Sequence, residues 1–499
     1  MKRYTAIYLI FMFSLTATHA QKMDSPLIAN QYLKPTTYNQ LSEYVQRLDH
    51  ASDLMEVEVI GQSIQKRNLY ALKFSTSGFG KDKNKIKVLF FAQQHGNEQS
   101  GKEGALLLAK ILLEPENRYL FDRIDFALIP QVNPDGSEVN QRRNAAGTDL
   151  NRNHLILTEP ETRALHHFFE QYMFEASMDI HEYSPYISDW ETYGYRKNAA
   201  VTLGTTTNVN ISKEIREFSN KEALPYVLKC LNDKGFSSFV YCPGGPPEMD
   251  YIRHSTFDIN DGRQSLGILN SFSFIQEGMN GEDDFVQNLQ NRSEGQATAM
   301  RAMLEFIFNH QIKIKKIVGK GRKELVNQKD GGNVSIQADH FGDGRILKLP
   351  LVSWNTKADT IVEVKDYRPV VKSICDVRRP IGYLIPKSQA ELINWLDIQS
   401  VVYSEYVPKK NQKIEQYFIK DIDSIDFEHD IIVNPIVEAI IIDLYDNESY
   451  VFVPVAQLKC NLIIQALEPK SMLGLVTYKQ YAHLLKPNSN YPVIRVIRK

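Results

Sequence analysis

His95 and Glu98 stand three residues apart in His95-Gly96-Asn97-Glu98. An imidazole and a carboxylate at that spacing share one side of a turn and can share a metal ion. Zinc takes histidine nitrogen and glutamate oxygen, and catalytic zinc sites use three protein ligands plus water. The spacing alone says little: with 12 histidines in the chain and glutamate a common residue, about one chance match is expected. His167-Phe168-Phe169-Glu170 is such a match, and context separates the two. His95 follows an apolar, strand-like run and Glu98 precedes a helical pattern. The second pair falls inside a helical pattern and reads as a solvated face. Downstream, the stretch from Arg142 to Arg152 reads R-x-N-x-x-G-x-D-L-N-R, too constrained for chance. It offers two guanidiniums and an amide after a strand end, and arginine forks bind carboxylates bidentately and stabilise developing oxyanions. Two more chemically active residues close apolar runs: His181 in Asp179-Ile180-His181, and Glu277 in Phe274-Ile275-Gln276-Glu277.

The surrounding pattern predicts the elements that hold these residues. Leu41, Tyr44, Val45 and Leu48 make one apolar face of a helix over 37–50. Strand-like runs at 55–60 and 69–74 are parted by Gly61-Gln62-Ser63. Lys87–Ala92 reads as a buried strand that stops at Gln93-Gln94-His95-Gly96, with a helix over 100–113 behind it. A strand over Phe126–Val132 stops at Asn133-Pro134-Asp135-Gly136, a turn signal. Thr158 and Glu161 read as the capping box of a helix reaching Tyr172. Strands over Ala176–Ile180 and Ser271–Gln276 end at His181 and Glu277, and a long helix is expected over Val286–Phe308. Strands alternating with helices predict an α/β fold, with a mixed, largely parallel central sheet and helices on both faces. Ligands bind beyond the carboxyl ends of such strands, which is where these polar residues fall. After about residue 320 the chain turns to glycine turns, β-branched runs and prolines, with one helix over Gln389–Leu396 capped by Ser388 and Glu391. The expected division is a domain over 21–319 and a smaller strand-rich domain over 320–499.

Of the 499 residues, 43% are hydrophobic and 24% charged, and the formal net charge is -2. That balance excludes a disordered or coiled-coil chain and gives no basic excess to suit nucleic acid. Lys2, Arg3, the apolar run Ala6–Ala17 and Thr18-His19-Ala20 read as a signal peptide over 1–20, cleaved before Gln21, and hence an exported protein, periplasmic or extracellular. The apolar run is too short for the ~20 residues that span a bilayer, and no later segment is apolar enough, so no membrane span is expected. Cys230, Cys242, Cys375 and Cys460 allow either pairing within each domain or four isolated thiols; no C-x-x-C is present.

The order H-x-x-E, N-P-D-G, R-x-N-x-x-G-x-D-L-N-R, strand-end His and strand-end Glu resembles the carboxypeptidase A-like zinc metallopeptidases over about residues 35–310. The resemblance implies one zinc per chain held by His95, Glu98 and His181, with Glu277 as general base and Arg142 polarising the scissile carbonyl. It further implies that Asn151 and Arg152 hold the terminal carboxylate of a peptide substrate, and that Asp149 orients a zinc-bound histidine. The stretch between His95 and His181 is shorter than in the digestive carboxypeptidases. Many members carry a substrate-capping tyrosine upstream of the base, and Tyr241 and Tyr251 both fit that place. An amidase or deacylase on the same fold, acting on cell-wall peptides or N-acyl amino acids, and a non-catalytic binding protein are the alternatives. The expected activity is that of a zinc metallocarboxypeptidase.

Overall fold

The computed structural model describes residues 23–497 apart from 283–285, 328–330, 409–411, 428–429 and 445–448. The signal peptide read at 1–20 lies outside the described residues. Eight strands form the central sheet: β1 Met55–Gln62, β2 Asn68–Phe74, β3 Ile86–Ala92, β4 Ile124–Ile129, β5 Ala176–Tyr183, β6 Val201–Thr205, β7 Ser238–Val240 and β8 Phe272–Met279. Their order is β1-β2-β4-β3-β5-β8-β6-β7. The centre, β4-β3-β5-β8, is parallel throughout. The β1–β2 hairpin joins it antiparallel on one side, and β6 joins antiparallel on the other. The central strands are near-continuous apolar runs because both faces are covered; every residue of β4 is buried.

The helices divide between the faces. Along β5, Asp179 and His181 point one way and Ile180 and Glu182 the other. Helix α1, Tyr38–Ala51, packs by β1 and buries Leu41, Tyr44, Val45 and Leu48 as predicted; Thr37 and Gln40 form its capping box. On the Glu182 face lie α2, Gln99–Leu112, and the long helix at Leu289–Asn327. On the Asp179 face lie α3, Pro160–Tyr172, and α4, Gly262–Gly267. The final long helix, α5 Leu289–Asn327, carries straight through residue 320, where composition changes.

Several expected boundaries shift. Strands β5 and β8 run past His181 and Glu277 because they stay paired to Tyr183 and Met279. Thr158 does not cap α3: Pro160 fixes the first helical position, Glu159 is the N-cap, and the Thr158 hydroxyl turns to Asn153 and Glu159. Ser388 is likewise not the cap of α6, Ala390–Ile398, whose N-cap is Gln389.

The strand-rich part is tied into the rest. Its strand Leu347–Ser353 pairs with Tyr195–Lys197, and Tyr367–Arg368 pairs with Ile252–Arg253. A six-stranded sheet follows, and one hydrophobic core runs from Leu41 through Phe274 to Trp395 and Leu467. From α6, Trp395 Nε1 donates to the Leu155 carbonyl at 2.8 Å, and the Gln399 amide donates to the carbonyls of His154 and Leu155 at 3.2 and 2.8 Å. All four cysteines are free thiols. Among the described residues, no helix is long and apolar enough to cross a membrane.

Candidate metal centre and active site

The chain leaves β3 through Gln93-Gln94 and turns at His95. Gly96 makes that turn possible: a Cβ there would lie 2.2 Å from the Gly136 carbonyl carbon and 2.4 Å from the Ser137 nitrogen. Asn133 joins the two loops. Its side chain accepts from Gly136 N at 2.9 Å and donates to the carbonyls of Gln94 and Arg142 at 3.1 and 3.3 Å. Gly96 N in turn donates to the Arg142 carbonyl at 3.2 Å. N-P-D-G is therefore the brace that fixes H-x-x-E against the arginine loop, and Asp135 anchors it to Ser63, Gln65 and Arg67.

His95, Glu98 and His181 converge, each buried, with one ligand atom apiece lying within 4.8 Å of the others. Glu98 Oε1 is 2.6 Å from His95 Nδ1, and Oε2 is 2.9 Å from His181 Nδ1; the two Nδ1 atoms are 3.2 Å apart. The far nitrogens are engaged by carboxylates, His95 Nε2 with Asp149 at 3.1 Å and His181 Nε2 with Asp179 at 2.9 Å. That fixes the ring orientations and makes the imidazoles better donors. Burial pushes the Glu98 carboxyl up, but His95 and His181 outweigh it and hold it well below the carboxylate range. Burial works against a charge on His181, yet Asp179 and Glu98 raise its pKa well above the ordinary value. Two imidazoles and a carboxylate aimed at one point, with their outer atoms already committed, fit a zinc ion with a fourth position open. Arg142 shows the attraction of this point for a cation, with Nη1 3.1 Å from His95 Nδ1 and 3.7 Å from Glu98 Oε1.

Glu277 lies beside this centre. It is the register partner of His181 across β5 and β8, so both side chains leave the same face. Burial dominates its environment and, with Glu98 adding, pushes its pKa up to about 7 against the pull of His181. Arg142 is held by Asp149, with Nε and Nη2 each 3.0 Å from Oδ2. Burial also pushes Asp149 up, but His95, Arg142 and Arg152 keep it well below the carboxylate range. Asn151 is buried; its Oδ1 accepts from Gly262 N at 2.8 Å and Gln94 Nε2 at 3.3 Å, and its amide nitrogen lies 3.3 Å from His181 Nε2. Arg152 Nη1 donates to the Asn151 carbonyl at 2.8 Å, and its side chain reaches solvent. Partial desolvation opposes the Arg152 charge, but Asp258, Asp149 and Asp261 raise its pKa.

The second H-x-x-E pair is separate, on α3: His167 is exposed and Glu170 pairs with Lys459. Glu182 turns to the opposite face and is spent on Ser100 and Arg292. Asp179 and Gln94 carry a role the sequence did not announce. Gln94 Nε2 donates to both Asp179 oxygens at 3.0 and 2.9 Å, and Gln94 Oε1 meets His154 Nε2 at 2.7 Å. Asp179, two residues before His181 on one strand, carried the only signal: alternation puts both on one face.

Residues 41–230 match the family model described as zinc carboxypeptidase. Over this stretch the chain is similar to the zinc carboxypeptidase family. The match takes in His95, Glu98, Arg142, Asn151, Arg152 and His181; Glu277 lies beyond it. Among curated relatives, carboxypeptidase 2 of Trichophyton equinum is 22% identical over 329 residues, covering 64% of this chain and 59% of that protein. Carboxypeptidase 2 of Trichophyton rubrum is 22% identical over 382 residues, covering 74% and 69%. The chain thus spans about six-tenths of the first relative's length. Among solved structures, a metallo-carboxypeptidase from Pseudomonas aeruginosa aligns with a TM-score of 0.44 and 19% identity, over 57% of this chain and 71% of that one.

Proposed function

We propose that this chain is a member of the zinc carboxypeptidase family, an exported zinc metallocarboxypeptidase that removes the C-terminal residue of peptides. The observation that carries the reading is the register pairing of Glu277 with His181, which sets a buried carboxyl next to the three-ligand centre. His95, Glu98 and His181 hold one zinc. A zinc ion there polarises a carbonyl and lowers the pKa of a bound water to about 7. Glu277 takes the proton of the attacking water and passes it to the leaving amine. Arg142 opposes the negative charge that builds on the scissile carbonyl oxygen. Arg152 and the Asn151 amide hold the substrate's terminal carboxylate. Asp149 and Asp179 keep the two imidazoles in place through their outer nitrogens. The part beyond residue 320 is an accessory that braces the loop after Arg152. The leader at 1–20 directs export.

Carboxylate capture separates this reading from an amidase or deacylase on the same fold. A peptide and its C-terminally amidated twin are compared on wild type and Arg152→Ala. A lost charged hydrogen bond is worth ~1.5–3 kcal/mol, so the amide reacts roughly ten- to hundred-fold more slowly in kcat/KM. Arg152→Ala erases most of that difference by slowing the free acid. Equal rates for acid and amide in the wild type would refute capture.

A further inference from the structure

A small cavity of about 50 Å3 opens where β6 and β7 meet the strand-rich part. Its walls include Thr202, Phe239, Tyr241 and Lys197, with Leu349 and Pro350 closing it from the strand-rich part. Thr202 is the register partner of Glu277 across β6 and β8, so it leaves the sheet on the Glu277 face. Tyr241 is also an electrostatic neighbour of Arg152. Through Thr202 the cavity thus neighbours the proposed base, and through Tyr241 the surroundings of the proposed carboxylate anchor.

Its lining mixes apolar side chains with the polar groups of Tyr183, Asn198, Thr202, Tyr241 and Lys197. Lys197 Nζ has a 3.4 Å hydrogen bond to the Cys242 carbonyl and sits 5.1 Å from the Trp190 ring centroid. Among the described residues no carboxylate is within ion-pair distance of it, and Thr202 Oγ1 is buried with no hydrogen-bond partner. The half-buried ammonium feels Glu277 at a distance but has only a carbonyl and a ring in direct contact, an arrangement that an incoming anion relieves. Burial indeed pushes the Lys197 pKa down. The strand pairing of Lys197 with Leu351 holds its backbone in place. One water occupies roughly 10–15 Å3 by this kind of measure, so the space admits a few heavy atoms: a short chain with a carboxylate, not an aromatic ring.

We propose that this cavity receives the side chain of the substrate's C-terminal residue, and that Lys197 with Thr202 makes it selective for aspartate or glutamate. The proposal rests on the carboxypeptidase reading for its position in the substrate. Lys197 is a specificity-determining residue that takes no part in the bond-breaking step.

The test uses the zinc-loaded full chain and two peptides identical except for ending in glutamate or glutamine. The wild type favours the glutamate peptide by roughly ten- to hundred-fold in kcat/KM, the worth of one charged hydrogen bond. Lys197→Met brings the two rates to within about threefold of each other, and Lys197→Gln, which keeps a polar end, does the same. Calorimetric binding of N-acetyl-glutamate and N-acetyl-glutamine makes the comparison without turnover. If no peptide is shortened but N-acetyl-glutamate still binds wild type about tenfold tighter than Lys197→Met, the pocket stands and the carboxypeptidase reading falls. No discrimination between glutamate and glutamine by the wild type in either assay, or a preference that survives in both Lys197 variants, overturns the proposal.

Discussion

Glu277 and Glu182 are both buried acids near the ligands, yet only one faces them. Glu277 leaves β8 on the His181 face and lies close enough for His181 and Glu98 to influence its charge. Glu182 leaves β5 on the other face and is consumed by Ser100 N and Oγ and by the Arg292 guanidinium. The proposed proton-transfer role is accordingly given to Glu277 and not to Glu182. Glu277→Gln keeps the shape and removes the acceptor, so zinc content stays at wild-type level while turnover falls by at least ~100-fold. Elemental analysis and a peptide assay check both halves, and near-wild-type turnover would refute the assignment. The three residues of the candidate metal centre are legible in the sequence because each is marked locally. His95 and Glu98 share one short turn, and His181 follows an apolar strand. Their orienting partners differ in this respect. Asp149 was reached through the resemblance, but the Gln94–Asp179 contact joins residues that only the β3–β5 pairing brings together.

At the scale of elements, the short helix α4 closes the site from behind. Its first residue, Gly262, lies so near the network that a Cβ would sit 2.5 Å from Asp179 Oδ2 and 2.6 Å from Gln94 Nε2. Asp179 is held by both Gln94 and His181, so it has nowhere to retreat without turning the His181 ring. Gly262→Ala therefore weakens zinc binding by roughly 10- to 100-fold, the usual cost of disturbing a ligand's orienting partner. Competition with a chelator of known affinity measures this. Unchanged affinity would show that Asp179 does not orient His181. The largely parallel centre and the helices on both its faces followed from periodicity, since its strands read as apolar runs; the strand order did not. The strand ends did not, because register pairing of β5 with β8 carries both strands past the polar residues that seemed to stop them. Nor did the cap of α3, where Pro160 overrides the Thr158–Glu161 spacing.

Over the whole molecule, the strand-rich part does more than follow the catalytic part in sequence. It supplies Trp395 and Gln399 to the carbonyls of the loop just after Arg152, and Leu349 and Pro350 to the cavity beside β6 and β7. Composition marks where this part begins, near residue 320, but no local signal reveals that α5 crosses that point or that Leu347–Ser353 returns to pair with Tyr195–Lys197. Such long-range pairings depend on the folded sheet and leave no periodic trace. The two parts together frame a candidate metal centre at the sheet's carboxyl edge, with Glu277 beside it and Arg142 and Arg152 nearby. The central claim is tested most directly by digesting a mixed peptide library with the zinc-loaded full chain and reading the products by mass spectrometry. The account predicts peptides shortened from the C-terminus one residue at a time, with the activity lost on zinc removal and restored by adding zinc back. Internal cleavage products, or release of acyl groups with every C-terminus intact, would contradict it.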